Sequence, residues 1–249
     1  MLTEIQFNHY LDRHNLSFEA RDYLTRVRNQ QASRMVGVHA KTNISSWFYS
    51  EKMGRTISTE SYSVERAFVV INEYNNSVFE LWDQPEPVPI KKYYKKGVGR
   101  TSWYTPDFIV YKDSGPVVIE VKDRTTVICE QEKSPRNWVV EPNGKVTYLP
   151  AKEYFESIGI EFEVWVASSD IRYRVFNLEI ALKSRNQEKI NLLEHKIDAA
   201  FEESFFWSIY DLKNRLEIDE YTGIIQAIDD GELFFNWDSS LFSIPKGCF

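Results

Sequence analysis

Two apolar stripes in the first third of the chain have helical spacing and predict two amphipathic helices. The first stripe follows Ser17, a residue type suited to cap a helix N-terminus. The second helix is predicted to begin near Thr59, with Glu60 in its first turn, where the helix dipole favours an acid. The apolar positions of the stripes are Phe18, Tyr23, Leu24 and Val27, and then Val64, Phe68 and Ile71.

In the middle of the chain the pattern changes to one typical of strands. Residues 102–111 and 117–122 are two apolar runs, and the short polar link between them contains Gly115. Such a link predicts a hairpin turn, so the two runs are predicted to pair. Three prolines between residues 85 and 89 favour an extended segment before the hairpin.

The segment after this hairpin is less regular. Residues 123–148 are polar and poor in helical pattern, with a second hairpin signal at 142–144, and we interpret them as a loop-rich insertion. A helix over 151–157 is predicted to end at Gly159 and to lead into the apolar strand 160–167.

Beyond residue 170 the composition shifts toward helical patterns, which predicts two domains, residues 1–170 and 171–249. The order helix, helix, strand near the C-terminus resembles a small winged-helix module. The predicted elements are a long helix over 188–207, a short helix over 211–216, a helix from Thr222 to Gly231 and a strand over 232–237.

Composition and charge narrow the range of functions. The chain has 43% hydrophobic and 27% charged residues, an ordinary globular composition. It has no apolar run of membrane-spanning length and no signal peptide, so we expect a soluble, cytoplasmic protein without a membrane partner. Residues 171–249 contain 9 Lys and Arg against 14 Asp and Glu, which places any DNA-facing surface in residues 1–170.

The metal-binding residue types present favour oxygen ligands. Cys129 and Cys248 are too far apart in sequence for a metal knuckle, and the four histidines show no ligand spacing. Any metal is therefore predicted to be held by carboxylates, which selects Mg²⁺ or Mn²⁺ over zinc.

One carboxylate pattern stands out in the predicted hairpin. Glu120 and Lys122 lie two residues apart on a strand and share a face, while Ile119 and Val121 point to the core. The hairpin brings Asp107 near that pair. Alternating Glu and Lys are also typical of a solvated strand face, but the preceding Pro-Asp and the flanking apolar strands favour a site.

Two acids and a lysine at one sheet edge suit the hydrolysis of a phosphodiester. Asp107 and Glu120, with the carbonyl of Val121, are predicted metal ligands, and the metal would activate water and neutralise charge. Lys122 is predicted to orient or help deprotonate that water and to offset developing negative charge.

These residues resemble the motif of the PD-(D/E)-x-K nuclease superfamily, and within it the chain resembles the TnsA-type endonuclease subunit of heteromeric transposases. The similarity spans roughly residues 50–170. The segments that carry it are Ser50 to Arg55, Glu60-Ser61 with Glu65, Tyr104 to Phe108, Glu120-Val121-Lys122, and Gly159 to Phe162 with Trp165.

The resemblance implies an α/β, restriction-endonuclease-like fold with a mixed sheet flanked by helices, and a smaller, mainly helical C-terminal domain. It also implies a third acid and metal ligand on a helix, Glu65, with Glu60 as the rival for that role. The segment 123–148 departs from the family, in which a more direct run into a helix is expected.

The resemblance implies a function and a set of partners. It predicts a Mg²⁺-dependent endonuclease, with Mn²⁺ as a substitute, that nicks the 5′ ends of a transposon. Its implied partners are DNA at the transposon ends, a DDE transposase subunit and an AAA+ transposition regulator. The alternatives are a free-standing restriction, repair or phage nuclease of the same superfamily and, in another class, a non-catalytic adaptor.

Two further segments are candidate surfaces. The basic and aromatic stretch before the predicted hairpin is suited to DNA, because its lysines can neutralise phosphates and its tyrosines can stack; lysines guarding a strand edge are the alternative. The cluster Phe205 to Trp207 is interpreted as core, or as a partner surface if it is exposed. The predicted DNA-binding residues are Lys91, Lys92, Lys95, Lys96 and Arg100.

Overall fold

The chain forms two compact units, residues 1–168 and 169–249. The computed structural model describes residues 1–29, 46–61, 63–94, 98–168, 171–190, 192, 194–238 and 241–242. The first unit has a mixed α/β architecture, as predicted. No helix in these described ranges is long and apolar enough to cross a membrane.

The first unit alternates short helices and strands. Its described elements are α1 (Glu4–Arg13), α2 (Phe18–Asn29), β1 (Ser46–Ser50), β2 (Arg55–Thr59), α3 (Glu65–Tyr74), β3 (Val78–Asp83), β4 (Val88–Tyr93), β5 (Gly99–Tyr104), β6 (Phe108–Lys112), β7 (Gly115–Asp123), α4 (Arg124–Lys133), β8 (Trp138–Val140), β9 (Val146–Tyr148), α5 (Leu149–Ser157) and β10 (Glu161–Ala167).

A four-stranded mixed sheet with the order β10-β7-β6-β3 lies at the centre of this unit. The β6–β7 and β3–β6 pairs are antiparallel, and β10 runs parallel to β7. The predicted hairpin is confirmed: β6 and β7 pair through a turn that ends at Gly115, whose φ of 126° suits a residue without Cβ.

The apolar runs of β6 and β7 are buried because helices and neighbouring strands cover the sheet. Phe108, Ile109, Val118 and Ile119 are at most 1% exposed and belong to one continuous core. Complete burial of each such side chain contributes about 1.5–3 kcal/mol, so the hairpin is firmly anchored.

The predicted strand 102–111 is wrong as a single element. The chain leaves β5 at Tyr104 and starts β6 at Phe108, and β5 pairs with β4 in a separate two-stranded sheet. Pro106 lies in the break, where its missing N–H removes no ladder hydrogen bond.

The helix predicted to begin near Thr59 begins at Glu65 instead. Thr59 ends β2 and pairs with Ser46 of β1, so strand pairing holds these residues extended. Glu60 therefore lies in the connection between strand and helix, and Glu65 occupies the first turn of α3.

The loop-rich interpretation of 123–148 is also wrong. The Asp123 side chain accepts a hydrogen bond from Thr126 N at 2.8 Å and caps α4, which follows β7 directly. This helix buries only Val127, so it lacks the apolar stripe from which helices are inferred. The second hairpin, β8–β9, is confirmed, with Gly144 at φ 86° in its turn.

The described part of the second unit is helical. Its elements are α6 (Ile171–Arg185), α7 (Glu194–Glu203), α8 (Ile209–Leu216) and α9 (Thr222–Asp229). The predicted helices near 211–216 and from Thr222 are confirmed.

Two other predictions for this unit are wrong. Residues 188–207 do not form one helix: the side chain of Gln226 accepts a hydrogen bond from Ile190 N at 3.0 Å and holds residues 186–190 outside a helix. Residues 232–237 are not a strand, because Phe235, Trp237 and Phe242 pack as an aromatic cluster in irregular backbone. The described residues of this unit therefore lack the strand that a winged-helix module needs.

Candidate active site

The register of the β6–β7 hairpin positions Asp107 and Glu120. Phe108 pairs with Ile119, so the next pair along the ladder sets Asp107 opposite Glu120. Oδ2 of Asp107 accepts a hydrogen bond from Val121 N at 2.7 Å, which fixes the carboxylate against β7. Both acids are buried, at 8% and 6% exposure.

Lys122 joins the two acids. Its Nζ lies 2.5 Å from Oε1 of Glu120 and 3.7 Å from Oδ2 of Asp107. The same ammonium donates to the carbonyl of Val121 at 3.2 Å. The structure therefore brings together the three side chains and the carbonyl that the sequence analysis singled out.

Tyr104 is a site residue that sequence reasoning missed. Its hydroxyl donates a hydrogen bond to Oε2 of Glu120, and its ring packs against Tyr148 of β9 at 5.6 Å between centroids. Burial raises the pKa of this phenol, with the charge of Glu120 as a further cause, so it stays a donor. The only sequence signal was a tyrosine three residues before Asp107 in the motif segment.

Glu65 and Glu60 both face the same space as these residues. A cavity of about 700 Å³ lies over the end of the hairpin and the start of α3. Oε2 of Glu65 accepts a hydrogen bond from Glu60 N at 2.8 Å, which orients the buried Glu65 side chain. The cavity is lined by Glu60, Ser61, Ser63, Val64, Glu65, Trp103, Tyr104, Thr105, Asp107, Glu120, Val121, Lys122, Asp123 and Thr126.

More carboxylates than cationic side chains line the cavity. Burial raises the pKa of Glu65 to about 7, and burial followed by the charge of Glu120 raises the pKa of Asp107 well above its usual range. Burial lowers the pKa of Lys122, but Glu120 and Asp107 outweigh that effect and raise it overall. Lys122 is therefore held as an ammonium, a proton donor and not a base, while Glu65 and Asp107 tend to retain protons.

The donor set suits a hard divalent cation. Asp107, Glu120, Glu65 and the Val121 carbonyl all offer oxygen. A bound cation would offset the burial and the smaller charge repulsion that raise the pKa values of Glu65 and Asp107. In the described ranges, however, no three His, Cys, Asp or Glu side chains form a ready-made metal cluster. Lys122 occupies the position between the acids, and Glu65 is held by the Glu60 amide.

The predicted DNA-binding residues divide into three groups. Lys92 and Arg100, paired across β4 and β5, line a second cavity. Lys91 does not line it, and its ammonium lies 6.0 Å from the ring centre of Tyr93. Lys95 and Lys96 lie outside the described residues.

In the segment Phe205 to Trp207, the two phenylalanines do not belong to the core. Phe205 and Phe206 are 85% and 91% exposed, because α7 ends at Glu203 and the chain continues without helical structure to Ser208. The interpretation as core is wrong for these two rings, and exposure is the condition under which they mark a partner surface.

Comparisons with known proteins add no relative to this description. No protein-family model matches the chain, and a search of curated proteins gives no significant match.

Proposed function

We propose that the chain is a metal-dependent DNA endonuclease of the PD-(D/E)-x-K type. The observation that carries the proposal is the convergence of Asp107, Glu120 and Lys122 in one cavity, at the end of a core hairpin. An ordinary solvated Glu-x-Lys strand face would leave these groups exposed and without a second acid.

The arrangement of elements supports a restriction-endonuclease-like fold for the first unit. Helix α3 precedes three antiparallel strands of the central sheet, and α5 leads into β10, which pairs parallel to β7. Glu65 lies at the start of α3, Asp107 lies just before β6, and Glu120 lies in β7, and one cavity reaches all three acids.

Each side chain has a separate role in the proposed mechanism. Asp107, Glu120 and the Val121 carbonyl would hold Mg²⁺ or Mn²⁺, with Glu65 as the helix acid. The bound ion supplies Lewis acidity toward the phosphodiester and lowers the pKa of water. Lys122 remains cationic and stabilises negative charge on the phosphate oxygens, while Tyr104 orients Glu120. This assignment replaces the predicted role of Lys122 in deprotonating water.

Within this class we propose a TnsA-type subunit that nicks the 5′ ends of a transposon beside a DDE transposase and an AAA+ regulator. The support is the motif segments from residue 50 to 170 and the acidic composition of residues 171–249, which suits protein partners better than DNA. The start of α4 directly after β7 supports this proposal, because the resemblance implies a direct run into a helix there.

Calorimetry with Mn²⁺ tests the metal site. We expect the wild-type protein to bind Mn²⁺ and Asp107→Asn to bind it much more weakly. Asp113→Asn is the control, because Asp113 is exposed and pairs with Arg13. Equal binding by the wild type and Asp107→Asn contradicts the metal assignment. Cleavage of labelled DNA with Mg²⁺ by the wild type, and none by Asp107→Asn, tests the nuclease activity itself.

A further inference from the structure

A second cavity, of about 740 Å³, lies between the β4–β5 hairpin and the residues that follow α4. Lys92 and Arg100 come from the hairpin, and Lys133 and Arg136 come from the end of α4 and the turn after it. Of these four cations, only Lys92 and Arg100 belong to the basic stretch that the sequence predicts to bind DNA. The fold adds a second pair of cations from a segment that carried no basic motif.

The two walls of this groove are fixed to each other. The Asn137 side chain accepts a hydrogen bond from Tyr93 N at 2.8 Å and donates one to Tyr93 O at 2.9 Å. Trp138, the next residue, stacks on Tyr148 at 4.6 Å between ring centres. The cations are therefore presented by a braced surface and not by two independent loops.

The charges in the groove are available for a ligand. Among the described residues, Lys92, Arg100 and Arg136 form no ion pair, and Lys133 has only Glu130 at 3.4 Å. Glu132 is the one acid among the described lining residues, so four cations face one carboxylate. A chain of net charge −7 that concentrates cations in this way is suited locally to an anionic polymer.

The lengths of α4 and β5 give the approximate distance between this groove and the candidate active site. Helix α4 starts beside Asp123, which lines the catalytic cavity, and its 10 residues end at Lys133 in the groove. That length is about 15 Å at the usual helical rise. Strand β5 runs from Tyr104 at Glu120 back to Arg100 in the groove, a span of about 14 Å at the usual strand rise.

We propose that this groove binds the sugar-phosphate backbone of the cut strand a few nucleotides from the scissile phosphate. The inference rests on the proposed nuclease function and deepens it. Contacts to phosphate fix register without reading sequence, so the groove sets where the strand lies in the catalytic cavity.

The first test measures DNA binding without metal, so that it does not depend on cleavage. Lys133→Ala/Arg136→Ala is compared with Arg13→Ala/Lys152→Ala, which removes the same charge from residues outside both cavities. Binding of a fluorescent duplex is measured over a range of salt concentrations. We expect the groove variant alone to lose about 0.9 in the salt slope for each phosphate contact removed, close to two units in total.

The second test locates the contact on DNA that the wild-type protein cuts. A single phosphate is replaced by an uncharged methylphosphonate, one position at a time. We expect a replacement at one position a few nucleotides from the cut to weaken wild-type binding and to have no effect on the groove variant. Replacements elsewhere should affect both proteins equally.

The outcomes separate this inference from the proposed function. If the wild type binds and cuts DNA but the salt dependence of binding falls equally in the groove and control variants, the proposed role of the groove is contradicted. The proposed nuclease function then stands. If the replacement that weakens binding by the wild type weakens binding by the groove variant equally, the proposed role of the groove is again contradicted. If the wild type binds no DNA, both the groove and the proposed function fail. Both double variants should keep the unfolding temperature of the wild type, because Lys133 and Arg136 are exposed.

Discussion

The phenol of Tyr104 donates a hydrogen bond to Oε2 of Glu120, inside the cavity that both side chains line. Lys122 holds the other oxygen of the same carboxylate at 2.5 Å. Glu120 is therefore gripped from two sides before any ligand binds. Of these two partners of Glu120, Lys122 also lies 3.7 Å from Asp107. Because a phenol carries no charge, Tyr104 orients Glu120 without neutralising it.

We predict that Tyr104→Phe weakens Mg²⁺ binding and lowers the cleavage rate. Removing a partner that orients a metal ligand costs about 10–100-fold in metal affinity or activity. The ring remains to pack on Tyr148, so the unfolding temperature should change little. Mn²⁺ calorimetry and cleavage at increasing Mg²⁺ concentrations measure the two effects.

Tyr93→Phe is the matched control for the calorimetry, and not for cleavage, because Tyr93 lines the second groove. The Tyr93 hydroxyl also donates to a glutamate, Glu153, at 3.2 Å, but neither residue lines the catalytic cavity. A loss of metal affinity in both variants would show a general effect of removing a hydroxyl. Unchanged affinity and rate in Tyr104→Phe would mean that Lys122 alone positions Glu120.

The geometry of the acids was predictable from the sequence because it depends on one hairpin. A turn at Gly115 and strand alternation set Asp107 opposite Glu120, and both features are local. The position of Glu65 depends on where α3 begins. That in turn depends on the pairing of Thr59 with Ser46, which an apolar stripe in α3 does not reveal.

Tyr104 and the second cation pair were not predictable for a related reason. Tyr104 reaches Glu120 because β5 lies outside the central sheet, with the Tyr104 ring against Tyr148 of β9. Lys133 reaches the groove because helix α4 forms where a loop was predicted. Helix α4 is capped by a side chain and buries one apolar residue, so its stability comes from capping and context and leaves no periodic trace.

We predict that the metal-free protein loses stability as the pH rises toward 7, and that Glu65→Gln reduces this loss. The folded-state pKa of Glu65 is raised to about 7, so the folded protein binds an extra proton from about pH 4.5 up to that value. Stability therefore falls over this range, by on the order of 3 kcal/mol for a shift of this size. Urea unfolding at several pH values, with chelator present, measures the slope.

Glu19→Gln is the control for the pH experiment. Glu19 and Glu65 both lie in the first turn of a helix, but Glu19 is exposed and Glu65 is buried. Glu19→Gln should leave the pH dependence unchanged. Adding Mn²⁺ at pH 8 should restore stability to the wild type. A slope that Glu65→Gln does not alter would mean that the buried acid is compensated elsewhere.

We predict that Lys122→Met destabilises the metal-free protein at pH 8 and less at pH 5.5. The substitution leaves Glu120 and Asp107 without their cation, and breaking such a partly buried pair costs about 3–5 kcal/mol at most. Burial raises the pKa of Glu65 to about 7, so at the lower pH Glu65 takes up a proton and the repulsion decreases. Thermal unfolding in chelator at the two pH values measures the difference.

Lys112→Met is a matched control for this substitution. Lys112 is also a strand lysine of similar exposure, 27% against 24% for Lys122, and it pairs with Glu163 at 3.5 Å at the surface. Its replacement should cost little and should show no pH dependence of this kind, because exposed pairs contribute less than about 1 kcal/mol. Equal losses in the two variants would argue against an excess of negative charge in the cavity.

We predict that DNA cleavage by this protein depends on a partner. Residues 171–249 are acidic, and their field repels phosphates, so we expect weak cleavage by the protein alone. With the matching transposase holding the transposon ends, we expect strand-specific cleavage. There Lys122→Ala should abolish cutting of this subunit's strand while the partner's strand is still cut, because Lys122 serves the chemistry and not the docking. Rapid cleavage of arbitrary DNA by the lone protein would favour a free-standing nuclease instead.

The exposed rings of Phe205 and Phe206 should carry part of this dependence. Two adjacent phenylalanines at 85% and 91% exposure are costly in water unless a partner covers them. Phe205→Ser/Phe206→Ser should therefore lose partner-dependent cleavage but keep wild-type Mn²⁺ binding, since no cavity residue changes. Phe234→Ser is the control, a ring in the same unit with 96% exposure. Cleavage of end-labelled transposon DNA with the partner present decides the case: full activity in the double variant means that the partner binds another surface.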